Sequence, residues 1–438
     1  MDDSAYYEDS SMSRSVSVIG AGSIGISTAL HLQQRGWQVT LIDRKAPGRE
    51  TSFGNAGIIN NGSMVALNNP GMHKSLPSYL KNNKPQLRYN LKYIVKNLPW
   101  TLQFLQSSKT RSAELTASAL HSLTSVALQE HKAFMQRAGN LHRLSEVGWL
   151  RAYRQGPGFD ETSFEGRQFA KHNVPYQKLT ANELHDLEPS LKRIYSAGFI
   201  FTGAASINNP GKLMTEYAEQ FVKDGGTLKQ AEIKAIESNE NNTLCRTDSG
   251  TIESDAIVVA AGPWSNDILA MLDYSVLLRV ERGYHAHYNL MSGAALTRSV
   301  YDVQSGFIMS PMEMGIRITT GVDLNHRDAK PNHSQLKQVL PSIKEAIDLG
   351  PQTDLPIWNG NRPTLPDSRP AIGQAPNHKN VWVAFGHQHI GLMTGPITGK
   401  LLAEQMSGET SEIDLAPFNP GRFMRSTRRR KPIWAGGK

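Results

Sequence analysis

A glycine-rich turn between two apolar runs, close to the start of the chain, constrains the fold more than any other feature. Residues 16–19, Val-Ser-Val-Ile, predict a short buried strand, and a helix is predicted over 24–35. A second strand is predicted over 38–42 and ends at Asp43. The order of strand, helix and strand predicts a βαβ unit, which is the context that a dinucleotide-binding turn requires.

Three glycines and one carboxylate give this unit its chemistry. Gly20 permits a tight turn, Gly22 leaves room for a pyrophosphate, and Gly25 lets the helix pack on the strand. The start of the helix offers N–H groups and a partial positive charge to an anion. Asp43 follows about 20 residues later, where a carboxylate accepts hydrogen bonds from a ribose. The pattern therefore predicts dinucleotide binding; the alternative is an ordinary Gly-rich turn.

The composition is that of a folded protein in a reducing compartment. Of 438 residues, 39% are hydrophobic and 20% are charged, which excludes wholesale disorder. The single cysteine, Cys245, excludes disulfides within the chain and an all-cysteine metal site, and we interpret it as a packing residue in a strand hairpin. Without an apolar run long enough to span a bilayer, and with a polar start instead of a secretory signal, we expect a cytoplasmic protein.

The net charge of +8 is distributed unevenly along the chain. Residues 1–13 are acidic and predicted to be disordered, whereas residues 422–438 are strongly basic. Terminal charge runs are usually solvated, so we expect no nucleic-acid partner. Contact of the basic tail with RNA or anionic lipid is the alternative.

Periodicity predicts the remaining elements. Helices are expected over 75–140, with a break at Pro99, and over 391–406. Another helix is expected to begin after residues 208–210, which supply cap residues and a proline. Strands are expected within 257–262 and 381–385, and a mixed, β-rich stretch over 276–325. The loops 50–57 and 258–265 contain small residues that would let the backbone approach a large ligand.

These segments resemble the FAD-dependent D-amino acid oxidase superfamily, and most closely its bacterial D-amino acid dehydrogenase (small subunit) branch. The resemblance covers roughly 16–415 and, besides the glycine turn, rests on Glu-Thr-Ser-Phe-Gly-Asn-Ala-Gly at 50–57, Ala-Ala-Gly-Pro-Trp at 260–264 and Gly-Asn-Arg-Pro-Thr-Leu-Pro-Asp at 360–367. A further motif, Gly-His-Gln-His-Ile-Gly-Leu-Met-Thr at 386–394, departs from the branch, which usually has Gly-His-Gly-Thr/Ser-Leu-Gly-Trp-Thr. This departure leaves the substrate and the electron acceptor open.

The resemblance implies an α/β fold, in which a discontinuous Rossmann-type FAD-binding domain is interleaved with a mixed α+β substrate domain. The FAD-binding domain would comprise 14–75, 205–275 and 365–415, and the substrate domain 76–204 and 276–364. A basic tail would follow over 416–438.

The resemblance also assigns residues to FAD, which would be bound without a covalent link because the 51–57 loop has neither cysteine nor histidine. The adenosine half would be held by Gly20, Gly22, Gly25 and Asp43, with Gly262 and Trp264 beside it. The diphosphate and isoalloxazine would be lined by Thr51, Ser52, Asn55, Ala56 and Gly57. At a helix start, the flavin N1–O2 edge would be faced by Gly391, Leu392, Met393 and Thr394.

For the substrate, the resemblance assigns Arg362, whose guanidinium would bind a carboxylate through two parallel hydrogen bonds. Tyr284 matches a tyrosine that the branch places beside the substrate; a packed strand tyrosine is the alternative. Hydride would pass from the substrate Cα to flavin N5, so no general base is assigned. A D-amino acid would become a 2-oxo acid and ammonia, and a quinone, another acceptor or O2 would take the electrons. No metal site is expected at His285, His287, His387 and His389.

Several alternatives stay open. The same chemistry would serve sarcosine, glycine or D-hydroxyproline. A flavin domain acting on modified tRNA would explain the basic tail, although we expect no partner domain for it in this chain. A flavin-binding subunit active only in a larger complex is the third alternative. Peripheral contact with the inner membrane is a further interpretation, because 74–105 mixes basic residues with Leu, Tyr and Trp. A helix pair with a charged outer face is the alternative. The basic residues of this stretch are Lys74, Lys81, Lys84, Arg88, Lys92 and Lys96.

Overall fold

The computed structural model describes residues 14–291 and 293–427, without the side chains of 74–76 and 426. The acidic stretch 1–13 and residues 428–438, predicted as tails, lie outside the described residues.

A six-stranded sheet carries the predicted βαβ unit. Ser15–Ile19 lies between Gln38–Asp43 and Ala256–Val259 and is parallel to both. Across the sheet the order is Thr227–Gln230, Gln38–Asp43, Ser15–Ile19, Ala256–Val259, Val381–Phe385 and Ala371–Gln374. The first five strands are parallel, and the sixth is antiparallel to its neighbour. Helices cover one face of this sheet, and the small sheet that contains Cys245 packs on the other. The central strands are therefore almost wholly buried, which explains their apolar runs.

Three helices pack on this sheet and on one another: Ser23–Gln34, Pro210–Lys223 and Gly391–Ser407. The cap predicted for the second is present, since the Asn209 side chain accepts a hydrogen bond from the Lys212 amide at 3.0 Å. The first and third helices approach closely where glycine faces serine. A Cβ added at Gly395 would lie 2.1 Å from Ser23 Oγ, and one at Gly399 would lie 2.5 Å from the Ser27 backbone.

The second large sheet has eleven strands and is mostly antiparallel. Its longest strand, Arg279–Leu290, pairs with Gly315–Thr319, Leu349–Gln352 and Trp358–Thr364. The main path runs Leu87–Tyr89, Val322–Leu324, Arg279–Leu290, Gly315–Thr319, Phe307–Met312, Val300–Asp302, Trp149–Tyr153, Ala197–Phe201 and Tyr176–Thr180. Arg279–Leu290 therefore brings the β-rich stretch and the segment of Arg362 together.

Smaller sheets and further helices complete the fold. The three small sheets are Ile233–Ser238 with Thr243–Thr247 and Gly250–Ser254; Ile58–Ile59 with Ala205–Ile207 and Leu144–Ser145; and Tyr274–Val276 with Met424–Ser426. The other α-helices are Pro70–Tyr79, Leu91–Lys96, Leu98–Ser107, Thr110–Thr124, Ala127–Ala138, Phe164–Lys171, Ala181–Leu187, Ser265–Ala270 and Ser334–Ala346. Short 3₁₀ turns lie at Leu141–Arg143, Gly262–Trp264, Ala416–Phe418 and Pro420–Arg422. The hairpin around Cys245 is present, and this cysteine is fully buried.

Two segments differ from the sequence-based expectation. The helical run over 75–140 is interrupted by Leu87–Tyr89, because this stretch pairs with Val322–Leu324 at the edge of the large sheet. The chain also stays in the fold after 416, where a basic tail was predicted. Met424–Ser426 pairs with another strand, and the Arg422 guanidinium donates to Asp367 at 2.9 Å. Within the described ranges, no helix is both long and apolar enough to cross a bilayer.

Candidate functional site

A cavity of about 1030 Å³ opens between the two large sheets. Its walls come from the glycine turn, the 50–56 loop, the 260–264 turn, the strands around Arg362 and the start of the last helix. Single-ligand pockets are typically about 300–1000 Å³, so this one has room for a ligand of dinucleotide size.

The glycine turn borders the cavity and is fixed from the second strand. Gly20 has φ +113°, a conformation that side chains disfavour, and Gly25 packs so closely that an added Cβ would lie 1.7 Å from the Gly20 carbonyl oxygen. A Cβ at Gly22 would contact only Ser52 Oγ, at 3.4 Å. Gly22 therefore leaves open space beside the cavity, whereas Gly25 serves the packing behind it.

Asp43 holds the glycine turn in place. One carboxylate oxygen accepts from the Ala21 amide at 2.7 Å, and the other accepts from the Lys45 amide at 2.9 Å. Burial raises the pKa of Asp43, and these two amides partly offset that effect. Since Asp43 borders the cavity, its remaining acceptor positions are available to a ligand hydroxyl.

The loop after the second strand is anchored by side chain to backbone hydrogen bonds. Thr51 Oγ1 donates to the Asn361 carbonyl at 2.7 Å, and Asn55 Nδ2 donates to the His389 carbonyl at 3.1 Å. Asn55 Oδ1 accepts from the Gly57 amide at 2.9 Å, and Ser52 Oγ accepts from the Ser23 amide at 3.0 Å. The loop thus joins the glycine turn to the segments that carry Arg362 and His389.

Arg317 supports the same loop through hydrogen bonds to its backbone carbonyls. The sequence did not predict this role. The Arg317 guanidinium is fully buried and donates to the carbonyls of Phe53, at 3.0 Å, and Asn55. It also donates to His287 Nε2 at 3.1 Å, and burial lowers its pKa to about 9. A lone arginine within the apolar run of Gly315–Thr319 was the available signal.

The 260–264 turn presents an aromatic face to the cavity. The guanidinium of Arg44 lies 4.3 Å from the centroid of the Trp264 ring, and that of Arg327 lies 5.4 Å from it. Trp264, Gly262 and Arg44 all border the cavity. The Arg44 guanidinium, held by this stacking at the cavity wall, favours an anionic ligand such as a phosphate.

The last helix begins at the cavity wall. Gly391, Leu392 and Met393 border the cavity, and Ile390 at the N-cap gives no side-chain cap, so the positive end of the helix dipole is directed there. Thr394 lies in the first turn with its hydroxyl donating to the Ile390 carbonyl at 3.0 Å. The helix Ser23–Gln34 also starts at the cavity without a cap from its own N-cap residue.

Arg362 borders the cavity from the strand Trp358–Thr364. Its guanidinium lies over Gly283 of the neighbouring strand, where an added Cβ would be 2.4 Å from Nη2. Nη1 donates to the Gly321 carbonyl at 3.3 Å, and no carboxylate in the described part of the chain forms an ion pair with Arg362. Burial lowers the pKa of Arg362, and Glu281 partly offsets this. The guanidinium is therefore available to a carboxylate ligand.

Tyr284 follows Gly283 in the strand Arg279–Leu290. Because successive side chains of a strand point to opposite faces, Tyr284 points away from the face on which the Arg362 guanidinium lies. Its hydroxyl donates to Asp323 at 2.9 Å and accepts from the Asn332 amide at 3.2 Å. Burial raises the pKa of Tyr284 to about 12. These contacts favour the packed strand tyrosine, and a substrate role for Tyr284 remains only a prediction.

The histidines near the cavity are neutral. Burial lowers the pKa of His287 to about 4 and that of His387 to about 3. The His389 side chain is exposed to the cavity, and desolvation by the protein around it, followed by the charge of Arg362, lowers its pKa to about 4. His285 stacks on Trp358 with ring centroids 4.9 Å apart. Within the described ranges, no three His, Cys, Asp or Glu side chains are grouped so as to hold a metal ion.

Most of the residues predicted for the site meet at this cavity. Those on its wall are Gly20, Gly22, Asp43, Thr51, Ser52, Asn55, Ala56, Gly262, Trp264, Tyr284, Arg362, Gly391, Leu392 and Met393. Those outside the lining set are Gly25, Gly57 and Thr394, which support it through packing and backbone contacts. The roles assigned to individual residues stay predictions. Two helix starts, a carboxylate and an arginine-stacked tryptophan around one cavity nevertheless fit FAD, with its phosphates, ribose and adenine.

Comparisons with known proteins match almost the whole chain. Residues 15–405 match the model of the FAD dependent oxidoreductase (DAO) family. The D-amino-acid oxidase of Bradyrhizobium diazoefficiens is 32% identical over 423 residues, covering 94% of this chain and 99% of the relative. The D-amino acid dehydrogenase of Neisseria meningitidis serogroup C is 25% identical over 408 residues, covering 91% and 97%.

Solved structures show the same fold. Glycine oxidase from Geobacillus kaustophilus superposes with a TM-score of 0.68 at 20% identity, covering 93% of this chain and 99% of that chain. L-proline dehydrogenase from P. horikoshii gives a TM-score of 0.71 at 18% identity, covering 94% and 97%. The predicted α/β fold class is thereby confirmed, and at these identities the likeness extends to the fold alone.

Proposed function

The chain belongs to the FAD dependent oxidoreductase family, and from that premise we propose that it oxidises the Cα–N bond of a D-amino acid. It is an FAD-dependent oxidoreductase, as the motifs predicted. The proposal adds the substrate, a D-amino acid, and the products, a 2-oxo acid and ammonia.

The observation that carries the proposal is the state of Arg362. It borders a cavity that fits FAD, it is half-buried with its exposed part facing that cavity, and it forms no ion pair within the described residues. The carboxylate of Glu281 on the neighbouring strand offsets the desolvation of Arg362 only in part, and within the described residues most of its N–H donors have no acceptor. An α-carboxylate of an amino acid meets that need, and its two oxygens match the two parallel donors of the guanidinium.

The residues then act mainly by placing the substrate. When bound, FAD supplies the acceptor for the hydride that leaves the substrate Cα. Arg362 holds the carboxylate, so the Cα–H bond is presented in one orientation, and effective positioning of this kind lowers the barrier substantially. The uncapped start of Gly391–Ser407 directs positive potential at the cavity, which favours negative charge developing there.

A substrate with a secondary amine, or glycine, is the second candidate. Arg362 would bind the carboxylate of sarcosine or D-hydroxyproline in the same way, so this residue does not discriminate between the candidates. Activity only within a larger complex is also compatible with the same cavity.

An anaerobic titration separates these possibilities. The purified protein is expected to show flavin absorption bands and to release its FAD on denaturation, since we propose non-covalent binding. D-amino acids should bleach the bands, whereas their L-isomers should not. Bleaching by sarcosine or D-hydroxyproline alone would favour the second candidate. Bands that no compound bleaches would indicate a subunit that needs its partner, and absence of flavin would contradict the proposal as a whole.

We also propose that the electrons pass to a quinone at a membrane surface. The helices Leu91–Lys96 and Leu98–Ser107 carry exposed apolar side chains, including Leu91 at 67% and Leu102 at 56% exposed. Phe104 of the second helix borders the cavity, so this region connects the surface to the proposed flavin site. O2 is the alternative acceptor; reoxidation of the reduced protein by air as fast as by a soluble quinone would favour it.

A further inference from the structure

Glu281 is a buried carboxylate that the proposed reaction has not yet used. It lies in Arg279–Leu290, and its side chain is only 2% exposed. Its Oε2 atom has no hydrogen-bond donor in the described part of the chain. A carboxylate in this state is costly, so a donor is expected from whatever occupies the cavity that Glu281 borders.

The position of Glu281 relative to Arg362 is defined by strand pairing. The two residues are directly opposite each other in the antiparallel pair Arg279–Leu290 and Trp358–Thr364. Such cross-strand neighbours have Cβ atoms about 4.5–5.5 Å apart. Gly283, on the same face as Glu281, lies beneath the Arg362 guanidinium. An anion site and a cation site therefore lie side by side on one wall.

Other titratable groups near Glu281 and Arg362 do not change the net charge of this pair. Arg279, two residues earlier on the strand, donates to Asn97 and to the Leu278 carbonyl. His389 is near Arg362 but neutral, because desolvation and the charge of Arg362 lower its pKa to about 4. The Tyr93 phenol is near Glu281, and its pKa is raised by burial, so it too is neutral. Burial raises the pKa of Glu281, while Arg362 and the Thr364 hydroxyl partly offset this.

The charge of the pair specifies the kind of ligand that fits. A simple carboxylate bound to Arg362 would compete with Glu281 for one guanidinium. Either two negative groups would share that guanidinium in an enclosed site or Glu281 would have to bind a proton, and both outcomes weaken binding. A zwitterion brings its own positive nitrogen and keeps the site neutral. We infer that Glu281 binds the α-nitrogen of the substrate, so that Arg362 and Glu281 together select a zwitterionic amino acid. This inference rests on the proposed function and extends it to the recognition of the amine.

Binding of two isosteric ligands to the FAD-loaded protein tests the inference without turnover. 2-Aminoisobutyrate lacks an α-hydrogen and cannot be oxidised, and pivalate replaces its ammonium group with a methyl group. Titration monitored by the flavin absorption bands should show tighter binding of 2-aminoisobutyrate to the wild type. In Glu281→Gln its Kd should rise by about tenfold or more, because a hydrogen bond to a charged group is lost. The Kd of pivalate should fall instead, because the repelling charge is gone.

The opposite signs distinguish recognition from a structural role, since general damage would weaken both ligands. Glu188→Gln is the matched control: Glu188 is equally buried, accepts from Arg298 Nε at 2.7 Å and lies off the cavity wall, so both Kd values should stay unchanged. Equal affinity of the wild type for both ligands, or weaker binding of both ligands in Glu281→Gln, would overturn the inference. If no amino acid reduces the flavin, the proposed function fails, yet the two titrations still decide the role of Glu281.

Discussion

At the scale of single residues, the site depends on where one guanidinium can lie. The Arg362 side chain can lie across the neighbouring strand because Gly283 has no side chain. Within the described residues, the Gly321 carbonyl is the only acceptor to which its guanidinium donates a hydrogen bond. A guanidinium with so few hydrogen-bond partners is free to bind a ligand, and when it is removed the buried Glu281 opposite it can bind a proton instead. Its removal should therefore affect catalysis much more than folding.

We predict that Arg362→Ala lowers kcat/KM by about 10²–10³-fold and leaves the ratio of flavin to protein unchanged. The reason is that a paired carboxylate contact worth about 3–4 kcal/mol is lost, whereas the glycine turn is untouched. Steady-state kinetics with the best substrate, together with the absorbance ratio of the purified protein, provide the measurement. Parallel loss of flavin and activity would show that Arg362 supports the cofactor site instead.

Sequence reasoning found some of these residues and missed others for a physical reason. Arg362 and Asp43 lie in motifs whose residue spacing is local, so the sequence was enough to select them. The partners of Glu281 and Arg317 lie far away in the sequence, in a neighbouring strand and in the 50–57 loop, and only the tertiary fold brings them together. For Tyr284 the motif suggested a substrate contact, but the alternation of the strand turns its hydroxyl towards Asp323.

At the scale of elements, two helices converge on the cavity with their N-terminal ends. Ser23–Gln34 and Gly391–Ser407 are far apart in sequence, yet they pack closely through glycines of the second helix. Both helices were predicted from periodicity within one residue or so of their observed bounds. Their mutual contact was not, because a close approach of two helices is a tertiary feature. The short strand Leu87–Tyr89 was missed for the same reason.

The contrast between two glycines of the fingerprint gives a prediction at this scale. Gly22→Val should abolish FAD binding with little loss of fold, because its Cβ meets only Ser52 Oγ but fills the space beside the cavity. Gly25→Val should destabilise the protein itself, because the Cβ would collide with the Gly20 carbonyl. Circular dichroism and flavin absorbance of the two variants would check this. Full flavin content in folded Gly22→Val would contradict the proposed phosphate position.

At the scale of the whole molecule, buried neutral histidines link stability to pH. Burial lowers the pKa of His31 to about 3 and that of His131 to about 4 from the ordinary value near 6.5. His285, His287 and His387 are shifted in the same direction. Below pH 6.5 the unfolded chain binds protons that the folded chain does not, so acidification favours unfolding. The raised pKa values of Asp43 and Glu281 act in the opposite sense but involve only two groups.

We therefore expect the urea midpoint of unfolding to fall steadily between pH 6.5 and about 4. Each histidine that stays neutral in the fold contributes a loss of up to about 1.4 kcal/mol per pH unit in this window. His387→Asn should reduce the dependence of the unfolding free energy on pH by the contribution of one histidine. Its ring forms a hydrogen bond only with Thr398 within the described residues, so the substitution should disturb little else. A midpoint independent of pH over this window would show that these histidines are protonated in the fold.

The exposed apolar side chains of the 80–102 region are the other property of the whole molecule. Leu80, Leu91, Val95, Leu98 and Leu102 are between 48% and 75% exposed, and we call them the apolar patch. The same stretch of sequence contains exposed lysines that form no ion pairs within the described residues: Lys81, Lys84, Lys92 and Lys96. Apolar side chains together with lysines that form no ion pairs suit the surface of an anionic bilayer. Each lysine near such a surface contributes about 1 kcal/mol to binding.

Binding to vesicles tests this patch directly. The protein should sediment with vesicles that contain anionic phosphatidylglycerol and not with neutral phosphatidylcholine, and salt should weaken the binding because the lysine contribution is screened. The triple variant Leu91→Ser, Val95→Ser and Leu102→Ser should bind vesicles at least about tenfold more weakly, because three apolar side chains that would enter the bilayer are removed. The control carries serine at Val222, Leu228 and Leu355, which are 46%, 36% and 41% exposed but lie outside the patch. Equal loss in the control, or wild type that stays in the supernatant with anionic vesicles, would contradict a membrane role and favour a soluble electron acceptor.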